Sequence, residues 1–328
     1  MPLLTDAKKA DLRVENFIFH VVHHGEAEPV LFDSTPIGEF EPFFIGRVVE
    51  TLRGNRFVFE ERSSTLGELR SAEGGPAAFV EASKALARQF HKDDGRFRRG
   101  ILMVTTLATG PRKLYSLIKY DHERVIAFDV VDAGAALRAV VTGLTESAKA
   151  LQKSALIELD ADGGSLVVLD RSKPTGITDF FRDFLGVRRL HGEAELTQAV
   201  TRTLVRTVRA HAEELPAEIT AQVKQRLVRI AEGRPDFDAD RFFGDYFGVH
   251  GTDAVRATFD RHLAGQGFDG EGFTFEATAL PNDGPRKYRT KEGVNIVVPE
   301  AARDTLSIET QPDGSTLVTI RTGHVTER

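Results

Sequence analysis

Residues 171–189 read RSKPTGITDFFRDFLGVRR, and this stretch decides how the chain is organised. Its apolar side chains recur at the spacing of one helix face, at Ile177, Phe180, Phe181, Phe184 and Leu185. Gly186 follows, at the position where a left-handed cap would end the helix. Cations stand at both ends of the stretch. We therefore expect a buried aromatic helix whose flanks stay in water, where they could meet an anion.

The aromatic stretch has a near copy later in the chain. Residues 242–249 read FFGDYFGV, which echoes FFRDFLGV at residues 180–187. Repeat proteins need about three units to bury a continuous core. One echo therefore does not indicate a repeat architecture.

Length and composition are ordinary for a soluble globular protein with room for two domains. The chain has 328 residues, of which 41% are hydrophobic and 28% are charged. No apolar run reaches the roughly 18 residues of a membrane span, and the first residues, MPLLTDAKKADLR, lack the apolar segment of a signal peptide. We therefore expect a cytoplasmic protein without a membrane span. The absence of cysteine excludes disulfides, thiolate metal sites and cysteine nucleophiles.

Positive charge is concentrated in one segment, although the net charge of the chain is −6. Residues 171–235 hold 12 lysines and arginines against 8 acidic residues, whereas residues 236–328 hold 10 against 16. Ionic screening over about 8–10 Å lets a cationic stripe act independently of acidic groups farther away. The charge distribution is therefore compatible with a polyanionic partner.

The first half of the chain combines strand and helix patterns. Runs rich in β-branched and aromatic residues predict strands, and helical spacing of apolar residues predicts helices. The expected strands cover residues 14–22, 100–107, 114–119, 125–131, 154–159 and 165–169, and the expected helices cover residues 66–69 and 77–90. Residues 108–113 join two of these strands in a predicted hairpin with a cationic tip.

Helix patterns dominate after residue 171. Apolar residues every four positions predict one helix with its buried face at Leu196, Val200, Leu204 and Val208. A second helix is expected to start at Pro216 and to face inward through Ile219, Val223, Leu227 and Ile230. Two shorter helices are expected at residues 239–246 and 252–263.

Short strands return near the C-terminus, at residues 294–298, 305–310 and 316–321, with a turn at residues 312–314. Segregation of strands and helices predicts the α+β class. We expect a mixed sheet-and-helix domain at residues 1–170, a basic helical segment at 171–235, and an acidic region at 236–328. The acidic region would combine short helices with antiparallel strands.

Three histidines near the end of the first strand raise the question of a metal site. In an extended strand His20 and His24 would lie about 13 Å apart and His23 would point to the other face, so one ion could not take all three. Asp160 opens a turn that resembles a calcium loop, but Arg171 stands where that loop needs a bidentate glutamate. We therefore expect surface or edge histidines, a hairpin turn and no bound metal.

Motifs of phosphate-binding loops and of hydrolases are absent from the sequence. Neither G-x-x-x-x-G-K-[ST] nor G-x-G-x-x-G occurs, and no G-x-S-x-G elbow is present. No convincing set of an acidic residue and a strand-borne E-x-K, typical of metal-dependent nucleases, is found. We therefore expect no cofactor and no enzymatic activity.

Cationic side chains are the strongest candidates for a binding site. Several cations that converge on one surface neutralise several phosphates, which provides most of the sequence-independent affinity for DNA. No helix-turn-helix is evident, and no aromatic platform for single strands accompanies the basic residues. The predicted DNA contacts are Arg171, Lys173, Arg188, Arg189, Arg202, Arg206, Arg209, Lys224, Arg229, Arg112 and Lys113.

A family resemblance agrees with this prediction. The strand SLVVLD at residues 165–170, a basic linker and the helix DFFRDFLG at residues 179–186 resemble the motif of the bacterial nucleoid-associated NdpA-like proteins, F-F-x-D-F-L-G. The similarity covers residues 98–235 and, more loosely, the C-terminal strands. It implies a nucleoid-associated DNA-binding protein that is not an enzyme. A role beside partner proteins, for example in phage or plasmid defence, is a further expectation.

Two alternatives stay open from the sequence. The stripe of Arg202, Arg206 and Arg209 could meet an acidic protein partner, or the acidic residues 236–328 of the same chain, in an interaction scaffold. A metal-dependent nuclease would need carboxylates around a divalent ion. The leading interpretation is sequence-independent binding of double-stranded DNA at the cytoplasmic nucleoid. A homodimer is expected because symmetric pairing is common and doubles the cationic surface.

Overall fold

The protein belongs to the α+β class, as the sequence predicts. The structure is a computed structural model, and it describes residues 3–121, 125–131, 134–140, 150–281, 286–298, 302, 305–311 and 314–324. In these ranges no helix is long and apolar enough to cross a membrane.

An antiparallel sheet of seven strands forms the centre of the N-terminal part. The first nine strands of the chain are β1 (Arg13–Val22), β2 (Asn55–Phe59), β3 (Gly100–Thr109), β4 (Arg112–Asp121), β5 (Val125–Val131), β6 (Gly134–Val140), β7 (Leu151–Glu158), β8 (Ser165–Asp170) and β9 (Val187–Arg189). The sheet has the order β1-β3-β4-β7-β8-β2-β9, while β5 and β6 form a separate hairpin. All of the strands predicted for this half of the chain are present.

The β3–β4 hairpin is tighter than predicted. Pairing continues to Thr109 and Arg112, so the turn consists of Gly110 and Pro111. Gly110 takes a φ of 54°, which a glycine adopts without steric cost. The predicted cationic tip is therefore wrong, because Arg112 and Lys113 lie within β4.

Helices cover both faces of the sheet, which explains why β3 reads as a continuous apolar run. These helices are α1 (Asp6–Ala10), α2 (Glu41–Thr51), α3 (Ser64–Ser71), α4 (Pro76–Phe90) and α5 (Asp179–Leu185). Leu102 and Val104 face the core that contains α3, α4 and α5, while Ile101 and Met103 face the core that contains α2. Successive residues of β3 thus serve opposite faces.

The aromatic stretch forms α5 and packs under α3 and α4. Phe181, Phe184 and Leu185 are buried, whereas Phe180 is only half-buried, so its assignment to the core is corrected. The last carbonyls of α5 accept hydrogen bonds from hydroxyls of α3 and its N-cap: Ser63 Oγ donates to Leu185 O and Thr65 Oγ1 to Phe184 O, both at 2.6 Å. These bonds satisfy helix-end carbonyls that would otherwise lack partners.

The second half of the described chain is a helical unit with its own core. It contains α6 (Glu193–Ala210), α7 (Ala217–Thr220), α8 (Val223–Gly233), α9 (Ala239–Phe247) and α10 (Asp253–Gln266), with a short pair of strands, β10 (Asp236–Phe237) and β11 (Phe273–Thr274). One hydrophobic core draws on residues from Leu196 to Phe275. The predicted buried face of α6 is confirmed.

The helix predicted after Pro216 is broken into α7 and α8. Gln222 has non-helical dihedral angles between them. The hydroxyl of Tyr246 donates to the carbonyl of Ile219 at 3.2 Å, and Tyr246 is fully buried. That carbonyl would bond to the Val223 N–H in an uninterrupted helix, so tertiary contact replaces one helical bond.

The echo of the aromatic stretch has a structural role. Residues 242–247 of the echo form most of α9, whose rings at Phe242, Phe243, Tyr246 and Phe247 are buried in the second core, and residues 248–249 lie in the turn that follows. Gly248 follows with a φ of 52°, as Gly186 follows α5 with a φ of 62°. Each core thus contains a short aromatic helix that ends at a glycine.

Strand β9 is the last strand of the sheet, so the chain up to residue 189 belongs to the sheet and the helices packed on it, which we call the sheet unit. The helical unit with the second core begins after it. The predicted boundary at residues 170 and 171 therefore falls inside the sheet unit, and the boundary at 235 and 236 falls inside the second core. Buried Glu271 joins the two units: it accepts a hydrogen bond from the Arg56 N–H at 3.0 Å and pairs with Arg189 at 3.0 Å.

Two further hairpins lie towards the C-terminus. They consist of β12 (Arg286–Arg289) with β13 (Asn295–Val298), and β14 (Leu306–Thr310) with β15 (Thr316–Ile320). The predicted C-terminal strands correspond to β13, β14 and β15. Two residues of the predicted turn at 312–314, Pro312 and Asp313, lie outside the described residues.

Candidate functional site

Three of the predicted DNA contacts are held in ion pairs within the fold. Arg112 pairs with Glu158, Arg171 with Glu50, and Arg189 with Glu271. Arg189 also donates to Asn55 Oδ1 at 3.0 Å and to the carbonyl of Thr175 at 3.2 Å. Its guanidinium group therefore fastens the segment after β8 to the sheet.

Other predicted contacts are exposed but scattered over several elements. Lys113 lies on β4, with its ammonium group 5.4 Å from the ring centre of Tyr115. Among the described residues the rest have no carboxylate partner: Lys173 on the loop after β8, Arg188 on edge strand β9, and Lys224 and Arg229 on α8. No single helix face or strand gathers these cations.

Three predicted contacts share one face of α6. Arg202, Arg206 and Arg209 are exposed and follow one another at helical spacing, on the side opposite the buried apolar face. Arg202 Nε donates to the neutral side chain of Gln266 at 3.2 Å. Within the part of the chain that the structure describes, no carboxylate pairs with any of the three.

A polar seam holds α6 against α10 in an antiparallel arrangement. Three side-chain contacts join the two helices. Gln266 Nε2 donates to Thr203 Oγ1 at 2.6 Å. Thr207 Oγ1 lies 3.2 Å from His262 Nδ1, and His211 Nε2 lies 3.0 Å from Thr258 Oγ1. Each step advances four residues on both helices, so the contacts repeat with the helical turn. The seam fixes the orientation of the arginine-bearing face.

A fourth arginine lies close to the seam on α10. Burial lowers the pKa of His262, and the nearby charges of Arg206 and Arg261 lower it further. Arg261 is exposed on α10. We call Arg202, Arg206, Arg209 and Arg261 the arginine ridge. Sequence reasoning missed Arg261, because only the pairing of the two helices brings His262, its neighbour in the sequence, to Thr207 of α6.

His20 and His23 are buried, so the prediction of surface positions is wrong for these two, although His20 does lie on an edge strand, because β1 is the outermost strand of the sheet. The Phe32 N–H donates to His20 Nδ1 at 3.2 Å, and the Lys92 N–H donates to His23 Nδ1 at 3.1 Å. The His23 N–H donates in turn to His91 Nδ1 at 3.0 Å. Each accepting nitrogen must be unprotonated, which indicates a structural network of neutral rings.

Two buried ion pairs in the sheet were missed by sequence reasoning. Lys119 Nζ lies 2.6 Å from Asp121 Oδ1, and Lys153 Nζ lies 2.6 Å from Asp170 Oδ2. Side chains of charged residues are rarely buried unless they are paired. The available signal was a lysine inside each of two otherwise apolar strands, LYSLIKYD and LQKSALIE.

Among the described residues, no three histidine, aspartate or glutamate side chains are arranged to hold a metal ion. No protein-family model matches the sequence, and no curated protein matches it significantly.

Proposed function

We propose that this protein binds double-stranded DNA without sequence preference, as a nucleoid-associated protein. The observation that supports the proposal is the arginine ridge. Its four guanidinium groups lie on two helices locked together by a polar seam, and the described residues provide no carboxylate partner for any of them. Arginine forms bidentate hydrogen bonds with phosphate and stays charged at any physiological pH.

The spacing along α6 suits a DNA backbone. From Arg202 to Arg209 the helix rises about 10.5 Å, at 1.5 Å per residue. Phosphates of one DNA strand rise about 3.4 Å per nucleotide, so this span corresponds to about three nucleotides. Arginines that contact successive phosphates position a protein on the duplex and carry no direct sequence information.

The scaffold alternative has less support. An intramolecular version requires the ridge to meet carboxylates of residues 236–328, yet Arg202 contacts neutral Gln266, and the charges of Arg206 and Arg261 both act on His262 of the seam. Like charges side by side repel one another unless an anion lies between them. The ridge therefore favours an anionic partner from outside the described chain, and DNA is the polyanion that fits its spacing.

The experiment compares two triple variants that change the net charge equally. Arg202→Glu/Arg206→Glu/Arg209→Glu reverses the ridge on α6. Lys8→Glu/Arg62→Glu/Arg70→Glu reverses three exposed cations elsewhere on the fold. Affinity for a duplex of random sequence is measured by fluorescence anisotropy at several salt concentrations.

Wild-type affinity should fall with salt at a log–log slope of about −3 to −4, since each of four contacted phosphates contributes about −0.9. The ridge variant should lose most of this slope and bind all sequences more weakly, while the control variant should resemble the wild type. Equal affinity of the ridge variant and the wild type at physiological salt would overturn the assignment.

A further inference from the structure

A cleft of about 410 Å³ opens beside Lys119 and Lys153, the two lysines of the sheet that form ion pairs with aspartates. Its charged side is formed by Lys119, Lys153 and Arg98, and its apolar side by Phe90, Phe97 and Phe180. The volume lies within the range of small-molecule sites, which are about 300–1,000 Å³. The cleft belongs to the sheet unit, whereas the arginine ridge belongs to the helical unit.

A β-bulge shapes the floor of the cleft. In the backbone register of β4 and β7, Lys119 lies opposite Lys153, but the next residue, Tyr120, lies opposite Leu151. Gln152 is therefore an extra residue on β7, and it also lines the cleft. Bulges re-aim side chains and are common beside functional sites.

The two lysines differ in how their hydrogen-bonding capacity is used. An ammonium group has three N–H donors. Lys153 Nζ uses all three, on Asp170 Oδ2, Ser172 Oγ and Thr178 Oγ1, at 2.6, 3.2 and 2.9 Å. Lys119 Nζ donates to Asp121 Oδ1 and to no other described residue, although its side chain is 5% exposed. Two donors of this buried ammonium group thus have no acceptor among the described residues, and the group lines the cleft.

The backbone makes room for this ammonium group. A Cβ atom at Gly100 would collide with Lys119 Nζ and with the carbonyl of Tyr120. A glycine on β3 therefore lets Lys119 lie flat against the neighbouring strand. Burial lowers the pKa of Lys119, Asp121 opposes this effect, and the charges of Lys153 and Arg98 add to it. A bound anion would stabilise the charged ammonium group.

The described charged residues that line the cleft, taken with their ion-pair partners, leave an excess of one positive charge. Asp121 and Asp170 neutralise the two lysines, and Asp94 pairs with Arg96 at 2.6 Å. Arg98 is exposed and has no carboxylate partner in the described chain. Because burial and nearby cations lower the pKa of His23 to about 4, its ring is neutral at pH 7. A monoanion would balance the site.

An aromatic wall faces these charges. The rings of Phe97 and Phe180 are 4.6 Å apart, and those of Phe90 and Phe180 are 5.1 Å apart. The neutral ring of His23 stacks on Phe97 at 5.0 Å. Apolar walls with few convergent polar groups are typical of sites for small organic ligands.

We propose that this cleft binds a small monocarboxylate with an apolar or aromatic body. The carboxylate would accept hydrogen bonds from the ammonium group of Lys119 and from the guanidinium group of Arg98. The body of the ligand would pack against Phe97 and Phe180. This function is independent of DNA binding, since none of these residues belongs to the arginine ridge.

The test uses phenylacetate as the probe in titration calorimetry with the full chain. Phenylacetamide, which has the same shape without the charge, and inorganic phosphate, which has the charge without the ring, are the comparison ligands. We expect phenylacetate to bind with a dissociation constant of about 1 mM, a reasonable affinity for a fragment of this size. Phenylacetamide and phosphate should bind at least about tenfold more weakly, since phenylacetamide lacks the negative charge and phosphate lacks the aromatic ring.

Variants assign the binding to the cleft. Arg98→Gln should weaken phenylacetate binding about tenfold, the loss expected for one charge-assisted hydrogen bond, while the exposed neighbour Arg99→Gln should leave it unchanged. Lys119→Met should abolish binding. If Lys119→Met does not fold, the pair of arginine variants decides the outcome.

Three results would overturn the proposal. They are no heat of binding from phenylacetate, equal binding of phenylacetamide or phosphate, and equal effects of the Arg98 and Arg99 substitutions. DNA affinity measured on the same variants should match the wild type, so failure of this proposal and failure of the DNA proposal are distinguishable.

Discussion

Lys119 of β4 and Lys153 of β7 are direct cross-strand neighbours in the central sheet, and each is paired with its own aspartate at 2.6 Å. Like charges placed opposite one another destabilise a sheet unless counter-charges are supplied. Asp121 follows Lys119 on the same strand, while Asp170 comes from β8. The arrangement neutralises both lysines, and the ammonium group of Lys119 lines the cleft.

Asp170 is the residue whose loss should cost most stability in this region. Its fully buried carboxylate accepts hydrogen bonds from Lys153, from the N–H and hydroxyl of Ser172, and from the N–H and hydroxyl of Thr178. Asp170→Ala would leave the Lys153 charge unpaired and release the segment that leads into α5. We expect a loss of about 3–5 kcal/mol in the free energy of unfolding, measured in urea. Asp183→Ala, at an exposed position on α5, should change it by less than about 0.5 kcal/mol.

Gly186 should tolerate no side chain at the end of α5. Its backbone is left-handed, with φ 62° and ψ 56°, and a Cβ there would lie 2.7 Å from the Cβ of Ser63. Gly186→Ala should therefore lower the free energy of unfolding by more than about 1 kcal/mol. Gly46→Ala is the control, because Gly46 lies inside α2 with open space around it. That change should raise stability by up to about 1 kcal/mol, and a loss comparable to that of Gly186→Ala would contradict the explanation.

Acid should destabilise the fold through the buried histidines before it protonates the carboxylates. Burial, followed by nearby positive charge, lowers the pKa of both His20 and His23 from 6.5 to about 4. Between pH 6.5 and 4 the unfolded chain binds more protons than the native state, so stability falls as the pH falls. Each histidine should contribute a loss on the order of 3 kcal/mol in this window, since each unit of pKa difference corresponds to about 1.4 kcal/mol.

His20→Asn tests the pH effect, because the asparagine oxygen can accept the Phe32 N–H without taking up a proton. The variant should lose less stability than the wild type between pH 6.5 and 4 in urea titrations at each pH. Burial alone raises the pKa of Asp170, but hydrogen bonds from Lys153 and Thr178 outweigh it and hold the pKa below 3.8. The contribution of Asp170 should therefore be lost only below about pH 4. If the stability of the His20→Asn variant and of the wild type depended on pH with identical slopes, the role of His20 would be contradicted.

Arg261 should contribute to DNA binding as the arginines of α6 do. Arg261→Glu should weaken binding to every duplex sequence and reduce the steepness of the salt dependence by about 0.9, the value for one phosphate contact. Arg241→Glu, on the exposed side of α9, is the matched control and should leave the slope unchanged. The same anisotropy titrations across salt concentrations measure both, and equal slopes for Arg261→Glu and the control would remove Arg261 from the ridge.

Local patterns predicted most of the secondary structure and part of the candidate sites. The buried face of α6 follows from Leu196, Val200, Leu204 and Val208, so the exposed face with its arginines could be predicted as well. The break between α7 and α8 could not, because it depends on a hydrogen bond from Tyr246 of a later helix. The ion pairs of Arg112, Arg171 and Arg189 with carboxylates could not be predicted either, because their partners come from distant segments of the chain.

The sequence by itself determined the α+β class, many of the helices and strands, the two aromatic helices that end at glycines, and the arginine stripe. It did not predict α2, β2 or β9, which the structure adds to the sheet unit. The predicted features depend on residues within a few positions of one another, where helical and strand periodicities act. Only the tertiary structure decided the neutral histidine network, the contact of His262 with Thr207 across α10 and α6, and the meeting of Lys119 with Lys153. These depend on strand register and helix pairing between distant segments, which local periodicity does not specify.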